Sequence, residues 1–274
     1  MHLGTYFTFR SRFAAMTATM IVALLAAGMA MAEGISGLAG LEPGGTATVT
    51  SVIDGDTLVL ADGRQVRLVG LQAPKLPLGR QNFKPWPLGE AAKSALSEIT
   101  HGKRLQLSYG GRRTDRHNRM LAHLQGPEGE WIQGEMLRRG LARVYSFADN
   151  RKLVAEMLAI EREARIARRG IWEDPFYRVR DADRLGGEVD TFQLVEGRVV
   201  AVATVRGRTY VNFGVNWRTD FTIQISGRDR RLFEKADVAP AQLEGRLVRV
   251  RGWLTWRNGP MIDATHPEQI EMLE

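Results

Sequence analysis

The sequence contains no cysteine among its 274 residues. This absence excludes a scaffold held by disulfides, a metal site built from thiolates and catalysis by a cysteine nucleophile. Aromatic residues form only 8% of the chain and charged residues 25%, which is an ordinary composition for a globular protein and not that of a disordered chain. At about 100–200 residues per domain, the length allows one or two domains.

Long apolar runs are also scarce, and the run that is long enough to span a membrane lies near the start of the chain. Arg10 and Arg12 precede an apolar stretch over residues 13–32, which ends in Ala30-Met31-Ala32. This layout is typical of a secretory signal. We therefore expect residues 1–32 to be a signal peptide cleaved after Ala32, with the mature chain exported to the periplasm or secreted and not inserted in a membrane. An uncleaved N-terminal anchor is the alternative, because about 20 apolar residues span a bilayer.

Positive charge is concentrated in the first half of the chain. Residues 45–180 contain 23 Lys and Arg against 15 Asp and Glu, a net charge of +8, whereas residues 181–274 contain 13 against 14, a net charge of −1. A basic domain favours a polyanionic partner, of which nucleic acid is the commonest, although a surplus of charge is also typical of a plain solvated surface.

Short β patterns separated by turn residues fill the first half of the mature chain. The predicted strands cover residues 46–53, 57–61, 65–71, 104–109 and 120–124, and a helix pattern covers residues 89–100. Five strands with a helix after the third is the order of an oligonucleotide/oligosaccharide-binding (OB) barrel. We therefore predict a β-rich α+β fold with an N-terminal five-stranded OB barrel, followed by helices near residues 134–139 and 150–169.

Composition also predicts the domain limits. Residues 33–45 are rich in glycine and predict a flexible leader, and residues 46–180 form the first domain. Residues 181–190 combine charged residues with two glycines and predict a linker. Residues 191–274 repeat the strand pattern, which predicts a second small OB-like β-barrel.

One strand of the second domain alternates in an unusual way. Arg249, Arg251 and Trp253 lie on the face opposite to the apolar residues of the same strand. Such a face suits a single strand of nucleic acid, through stacking and phosphate contacts. Because this half carries no net positive charge, packing against the first domain is the preferred interpretation.

Three segments of the first half carry polar residues in a recognisable order. They are Val52-Ile53-Asp54-Gly55-Asp56-Thr57, Arg67-Leu68-Val69-Gly70-Leu71-Gln72-Ala73-Pro74-Lys75 and Arg113-Thr114-Asp115-Arg116-His117-Asn118-Arg119. In this order and spacing they resemble the thermonuclease, or staphylococcal-nuclease-like, family. The resemblance runs over about residues 46–174 and includes Gly140-Leu141-Ala142-Arg143-Val144-Tyr145 and Gly170-Ile171-Trp172.

The resemblance implies phosphodiester hydrolysis assisted by calcium. A hard cation takes oxygen ligands and bridges the phosphate, and one of the family's carboxylate ligands falls on Asp56. Two guanidinium groups clamp the phosphate, because a planar fork matches two of its oxygens. These positions fall on Arg67 and Arg119.

The sequence departs from the family where the second carboxylate ligand and the catalytic glutamate are expected. The family's Asp-Thr-Pro-Glu is replaced by Gln72-Ala73-Pro74-Lys75. Gln72 would be a neutral metal ligand, and affinity for hard cations depends on the number of charged ligands. We therefore expect any calcium to bind weakly.

Lys75 has two interpretations. It supplies a third positive charge beside Arg67 and Arg119 and so favours phosphate binding, or it acts as a catalytic base. We prefer the first, because a lysine among phosphate ligands is usually a counter-charge.

Further contacts to nucleic acid are predicted from surface residues of the same half. Basic and polar candidates lie in the loops, where each is equally consistent with a solvated surface charge. The resemblance places one aromatic residue, after the predicted helix at residues 134–139, near the base of a bound nucleotide, where stacking and core packing are equally good interpretations. The candidates are Lys84, Arg113, Arg116, His117 and Tyr145.

Two functions follow from these residues. The chain is a nuclease with weak activity or an altered metal requirement, or it is a catalytically inactive protein of the same fold that binds nucleic acid or another polyanion.

Overall fold

The computed structural model describes residues 1–2, 38–236 and 238–273. Contacts divide the chain into two units, Met1–Ala39 and Gly40–Glu274, and the second unit carries the elements described below. The predicted signal peptide, apart from residues 1–2, and residues 33–37 of the predicted leader lie outside the described residues. Among the helices that are described, none is long and apolar enough to cross a bilayer.

Strands and helices alternate through the first half of the second unit. In chain order its elements are β1 (Glu42–Asp54), β2 (Thr57–Leu60), β3 (Gln65–Leu68), β4 (Leu71–Gln72), α1 (Gly89–Thr100), β5 (Arg104–Tyr109), β6 (Met120–Gln125), α2 (Ile132–Arg138), β7 (Arg143–Val144) and α3 (Val154–Ile166). Two 3-10 turns follow, at Gly170–Trp172 and Pro175–Tyr177.

The first sheet closes on itself. Its strand order is β1-β2-β3-β6-β5, and β5 pairs with β1 to complete a barrel. All neighbours are antiparallel except β3 and β6, which run parallel. Strand residues alternate between the core and the outer face, so that Val66 and Leu68 are fully buried while Arg67 between them lies on the outer face.

The helices follow the apolar patterns of the sequence. Helix α1 has the predicted bounds and buries Ala92, Leu96 and Ile99. Helix α3 begins four residues later than predicted, because Leu153 takes a left-handed conformation with φ of 63°, and left-handed backbone does not continue a right-handed helix.

The predicted flexible leader is wrong at its C-terminal end. Strand β1 already includes Glu42 and Pro43, which pair with Tyr109 and Ser108 of β5. A shift of register between Pro43 and Thr46 takes up the two intervening glycines. Glycine in this stretch therefore serves a bulge in a strand and not a free chain.

The second half of this unit is a sheet with one α-helix among its described residues. Its elements are β8 (Arg180–Asp181), β9 (Phe192–Arg198), β10 (Ala201–Val205), β11 (Arg208–Asn212), β12 (Thr222–Ile225), α4 (Gly227–Lys235), β13 (Leu247–Trp256), β14 (Pro260–Ala264) and β15 (Ile270–Met272). The strand order is β10-β11-β12-β14-β13-β9-β8, with β15 paired to β13.

The strand order of the second sheet repeats that of the first. Strands β9 and β10 are separated by only Val199 and Val200, so together they correspond to β1. Strand β12 runs parallel to β14, as β3 runs parallel to β6. The helix α4 follows the third strand, as α1 does after β3 and β4.

The segment predicted as a linker, residues 181–190, is packed. Strand β8 pairs with β9, and Ala182 and Leu185 lie in the hydrophobic core of the second half. The charges of this segment indicated exposure, but Ala182 and Leu185 are buried, so this segment is part of the second core.

The alternating strand of the second half is β13, and its basic residues are engaged. Arg251 is 1% exposed and pairs with Glu161 of α3 and with Glu271. Arg249 pairs with Glu196 of β9. Arg251 therefore faces the first half of the structure. This agrees with the interpretation that the strand packs against the first half, and the side chain of Arg251 is not on an open binding face.

Candidate functional site

A tight turn between β1 and β2 positions the central carboxylate. Asp54-Gly55-Asp56 forms this turn, in which Asp54 Oδ1 accepts a hydrogen bond from the backbone amide of Asp56 at 3.1 Å. A Cβ at Gly55 would lie 2.6 Å from the Cβ of Ala92 and 2.7 Å from that of Ala73. Only glycine lets the turn approach α1 so closely.

The carboxylate of Asp56 is buried and surrounded by donors. Arg67 on β3 donates from Nη1 to Oδ1 of Asp56, and Lys75 donates from Nζ to Oδ2 at 2.6 Å. The backbone amide of Ala73 donates to the same Oδ2 at 2.8 Å, and the hydroxyl of Thr57 donates to Oδ1 at 3.2 Å. The structure therefore brings together three of the predicted site residues, which we call the Asp56 cluster: Asp56, Arg67 and Lys75.

The two aspartates of the turn have opposite pKa shifts. Burial alone would raise the pKa of Asp56, but the charges of Arg67 and Lys75 and the hydrogen bonds to its oxygens outweigh burial and hold that pKa well below its usual range. Burial and the adjacent charge of Asp56 raise the pKa of Asp54, and the charge of Lys75, 3.8 Å away, opposes this rise. Asp56 is therefore a firmly ionised carboxylate and a poor proton acceptor.

Calcium does not fit the donor set of this site. Both oxygens of Asp56 already accept hydrogen bonds, two of them from cationic side chains. The amide oxygen of Gln72 is also taken, because Arg143 donates to it from Nε at 3.0 Å and from Nη2 at 2.8 Å. Within the described part of the chain, no group of three or more His, Cys, Asp or Glu side chains could hold a metal ion. Gln72 is therefore a partner of Arg143.

Arg119 lies immediately before β6, the strand that pairs with β3. Arg67 pairs in register with Leu121 of β6, and Arg119 is two residues before Leu121, so Arg119 enters the site from the turn that leads into this neighbouring strand. The guanidinium of Arg119 is held by Asp115, with Nε at 2.8 Å and Nη2 at 2.7 Å from Oδ2. Asp115 also accepts from the backbone amide of Arg119, so it both closes the turn and orients the arginine.

The predicted nucleic-acid contacts are spread over several surfaces. Arg113 is exposed and pairs with Glu42 at 2.7 Å. Arg116 donates to the ring of His117 at 3.1 Å, in the turn before Arg119. Lys84 is exposed in the loop before α1.

Tyr145 lies at the junction of the two halves. Its hydroxyl accepts a hydrogen bond from the indole of Trp253 at 2.9 Å, and its ring contacts Phe147 and Phe192 edge-on, both at 4.8 Å between centroids. These residues line a cavity of about 210 Å³. Packing therefore accounts for this ring.

Sequence reasoning missed Arg143. Its side chain is 4% exposed and crosses from β7 to Gln72 on β4, a pairing between residues 71 positions apart. Its guanidinium also lies 4.6 Å from the centroid of Phe192. Arg143 stands inside the run Gly140-Leu141-Ala142-Arg143-Val144-Tyr145, but no local pattern indicates its distant partner.

Comparison with known proteins finds one matching family description. The model described as "Staphylococcal nuclease homologue" matches residues 65–174. This range contains Arg67, Lys75 and Arg119, and Asp56 lies nine residues before it.

Several curated proteins are similar over less than half of this chain. An uncharacterized endonuclease of Escherichia coli O157:H7 is 30% identical over 129 residues, which cover 46% of this chain and 76% of that protein. Micrococcal nuclease of Shigella flexneri is 32% identical over 138 residues, covering 46% of this chain and 73% of that protein. Endonuclease YncB of Bacillus subtilis is 32% identical over 135 residues, covering 47% of this chain and 63% of that protein.

Proposed function

The chain belongs to the family of staphylococcal nuclease homologues, and from this premise we propose that its Asp56 cluster binds phosphodiester groups of nucleic acid and hydrolyses them slowly without bound calcium. In this proposal Arg67 and Lys75 hold the phosphate oxygens, and Arg119, just before the neighbouring strand β6, supplies the second guanidinium. These cations stabilise the negative charge that grows on the phosphate as water adds to it. Asp56 holds Arg67 and Lys75 in place.

One observation carries the proposal: the ammonium of Lys75 lies 2.6 Å from the carboxylate of Asp56. By the resemblance, this carboxylate would help to hold a metal ion, which would supply positive charge to the phosphate. Here a side chain of the protein supplies a positive charge at the same carboxylate. Lys75 is 20% exposed and Arg67 13% exposed, so both cations remain reachable by a phosphate.

Slow cleavage follows from the state of the carboxylate. In hydrolysis the oxygen of a water molecule bonds to phosphorus, the bond from phosphorus to one sugar oxygen breaks, and a proton passes from the water to that leaving oxygen. A base that accepts the water proton contributes typically about 10²–10⁴-fold to such a reaction. Asp56 is a poor base because its pKa is lowered. The Asp56 cluster is therefore better suited to binding a negatively charged phosphate than to accepting a proton from water.

A second candidate function is binding without cleavage. Lys75, which replaces the family's catalytic glutamate, is held in an ion pair with Asp56. A cation in this role increases affinity for phosphate and contributes no base.

Export and the finer fold assignment also belong to this proposal. The basic start, the apolar run and the Ala-x-Ala ending over residues 1–32 support a cleaved signal and a periplasmic or secreted protein. The shared strand order of the two sheets supports two OB-type barrels. We propose that the two domains meet near residue 181, with residues 181–190 belonging to the second.

A digestion assay tests the proposal. Denatured DNA is incubated with the protein in calcium, in manganese and in excess chelator, and its fragments are followed with time. We expect slow cleavage at similar rates in all three conditions and its loss in Arg67→Ala. The matched control is Arg138→Ala, which changes a half-exposed arginine on α2.

The other outcomes separate the two candidates. Cleavage that requires calcium would contradict the proposal that Lys75 supplies the positive charge in place of a metal ion. Binding that falls steeply with salt, without fragments, would support the second candidate, because phosphate contacts release counterions. If Arg67→Ala changed neither binding nor cleavage, both functions of the Asp56 cluster would be rejected.

A further inference from the structure

The second half contains a groove that is distinct from the Asp56 cluster. Strands β10, β11, β12 and β14 form it, together with the loop between β11 and β12 and the turn between β13 and β14. Its volume is about 440 Å³, within the range of ligand-binding pockets. We call it the Trp217 groove. Its lining includes Val205, Tyr210, Trp217, Arg257 and Met261.

Large apolar side chains are open to solvent in this groove. Trp217 is 55% exposed and Val205 is 53% exposed, and the ring of Tyr210 is partly buried beside them. An exposed tryptophan next to an exposed valine is a costly surface unless something covers it. The flat faces of Trp217 and Tyr210 suit a planar ring.

One arginine lines this apolar groove, and three others lie on the segments next to it. Arg257 lines the groove, and its side chain is 57% exposed. The guanidinium of Arg218 lies 4.9 Å from the centroid of Trp217. Arg206 and Arg208 are exposed at the turn between β10 and β11.

Two acidic residues nearby, Asp220 and Asp263, offset only part of this charge. Asp263 is 3.8 Å from Arg257, which is a weak and exposed ion pair. Asp220 accepts hydrogen bonds from the backbone amide of Asn216 at 2.8 Å and from the hydroxyl of Thr219 at 3.0 Å. Its carboxylate therefore serves the loop that carries Trp217.

We propose that the Trp217 groove binds single-stranded nucleic acid. Unpaired bases would stack on Trp217 and Tyr210, and the arginines at the rim would contact the phosphates. The combination of apolar rings inside and cations outside matches a ligand with flat uncharged rings joined by anionic links. A duplex fits less well, because its base faces are covered by stacking within the helix.

This inference extends the proposed function, because the second half would hold a strand whose phosphodiester groups reach the Asp56 cluster. It does not depend on cleavage. The two sites lie in different halves of the unit, so their contributions can be separated by substitution.

The experiment measures binding of a fluorescent oligothymidine and of a duplex of equal length to the full chain, by anisotropy. Trp217→Ala is compared with Trp217→Phe, which keeps a stacking ring, and Arg257→Glu with Arg228→Glu, which changes an exposed arginine on α4. Stacking on an aromatic side chain contributes to the affinity for each unpaired base. We therefore expect Trp217→Ala to weaken single-strand binding about tenfold, Trp217→Phe to retain most of it, and Arg257→Glu to weaken it more than Arg228→Glu.

Each remaining outcome overturns the inference. If Trp217→Ala and Arg257→Glu bind the oligothymidine as tightly as the wild type, the groove does not hold it, even where Arg67→Ala removes binding. If Trp217→Ala weakens duplex binding equally, stacking on bases is not the cause. Because Trp217 is exposed, its substitution leaves the core intact, and coincident thermal unfolding curves check this point.

Discussion

Arg251 and Glu161 form an ion pair buried between the two halves of the structure. Arg251 on β13 donates from Nη1 and Nη2 to the two carboxylate oxygens of Glu161 on α3, at 3.0 and 2.9 Å. Arg251 is 1% exposed and Glu161 is fully buried. Glu271 accepts a further bond from Arg251 at 2.6 Å. Because these groups are buried away from water, each charge is stabilised by its ion-pair partners and not by hydration.

We predict that Arg251→Met destabilises the protein by about 3 kcal/mol, because it removes the cation shared by two buried carboxylates. The loss stays at the lower end for a broken buried pair, since Arg165 still pairs with Glu161 at 2.8 Å. Urea unfolding measures the loss. The double variant Arg251→Met with Glu161→Gln should recover part of it, since one of the two carboxylates that shared Arg251 then carries no charge. Arg138→Ala, which breaks an exposed pair with Glu135, should cost less than about 1 kcal/mol. Equal stability of Arg251→Met and the wild type would contradict a role for this pair.

The two aspartates of the turn should respond oppositely to amide substitution. Asp56→Asn removes a carboxylate whose pKa is lowered in the folded state, so it should cost about 3 kcal/mol at neutral pH. Asp54→Asn keeps an oxygen for the amide of Asp56 and removes a carboxylate whose pKa is raised, so stability at neutral pH should stay equal or rise. Urea unfolding at pH 7 compares the two.

The difference in stability between the wild type and Asp56→Asn should depend on pH in one direction. A carboxylate with a lowered pKa in the folded state stabilises the protein above its unfolded pKa of about 4 and loses this contribution as the pH falls below it. The gap between wild type and Asp56→Asn should therefore shrink below about pH 4. A gap that stays constant with pH would show that packing, and not charge, is responsible.

Restoring two carboxylates should make the site respond to calcium. We predict that Gln72→Asp with Lys75→Glu raises the calcium-dependent rate of DNA cleavage by about 10²-fold or more, because it adds a charged ligand and a base. Ala73 is left unchanged, since it is 1% exposed and packs beside Gly55. The rate is measured in calcium and in chelator.

The control for this prediction is Lys75→Gln, which removes the ammonium and adds no carboxylate. It should show no calcium response. If the double variant also shows no calcium response, we would infer that Arg143 still binds the side chain at residue 72. Adding Arg143→Gln to the double variant would then show whether freeing residue 72 restores the calcium response.

His266 should make the protein sensitive to mild acid. Burial lowers the pKa of His266 to about 4, and its Nε2 lies 2.7 Å from the hydroxyl of Ser146 in the first half. A histidine that is neutral when folded takes up a proton more readily when unfolded, so stability is lost as the pH falls from about 6.5 towards 4.

We predict that His266→Gln reduces this loss between pH 7 and pH 5, measured by urea unfolding at both values. Part of the loss should remain, because burial also lowers the pKa of His123 to about 4. The matched control is His101→Gln at an exposed position. A pH dependence unchanged from the wild type in His266→Gln would contradict the assignment.

Local patterns in the sequence predicted the helices and strands well where the spacing of apolar residues and the turn residues indicated the same element. Helix α1 has the predicted bounds because apolar residues recur at helical spacing and Gly102 follows its end. The strands of the first sheet were predicted from alternation and from turn residues such as Gly63, whose φ is 82°. The leader and linker limits were partly wrong, because glycine and charge indicate exposure without showing which neighbouring residues pair or pack.

For the candidate site, the sequence by itself determined which residue types are present: the glycine turn with Asp56, the arginines at 67 and 119, and a lysine in place of a carboxylate. Only the tertiary structure decided how they are used. It paired Lys75 with Asp56, Gln72 with Arg143, and Arg251 with Glu161. Such partners lie 19 to 90 positions apart, and a buried charge selects its partner by distance in space, which local periodicity does not encode.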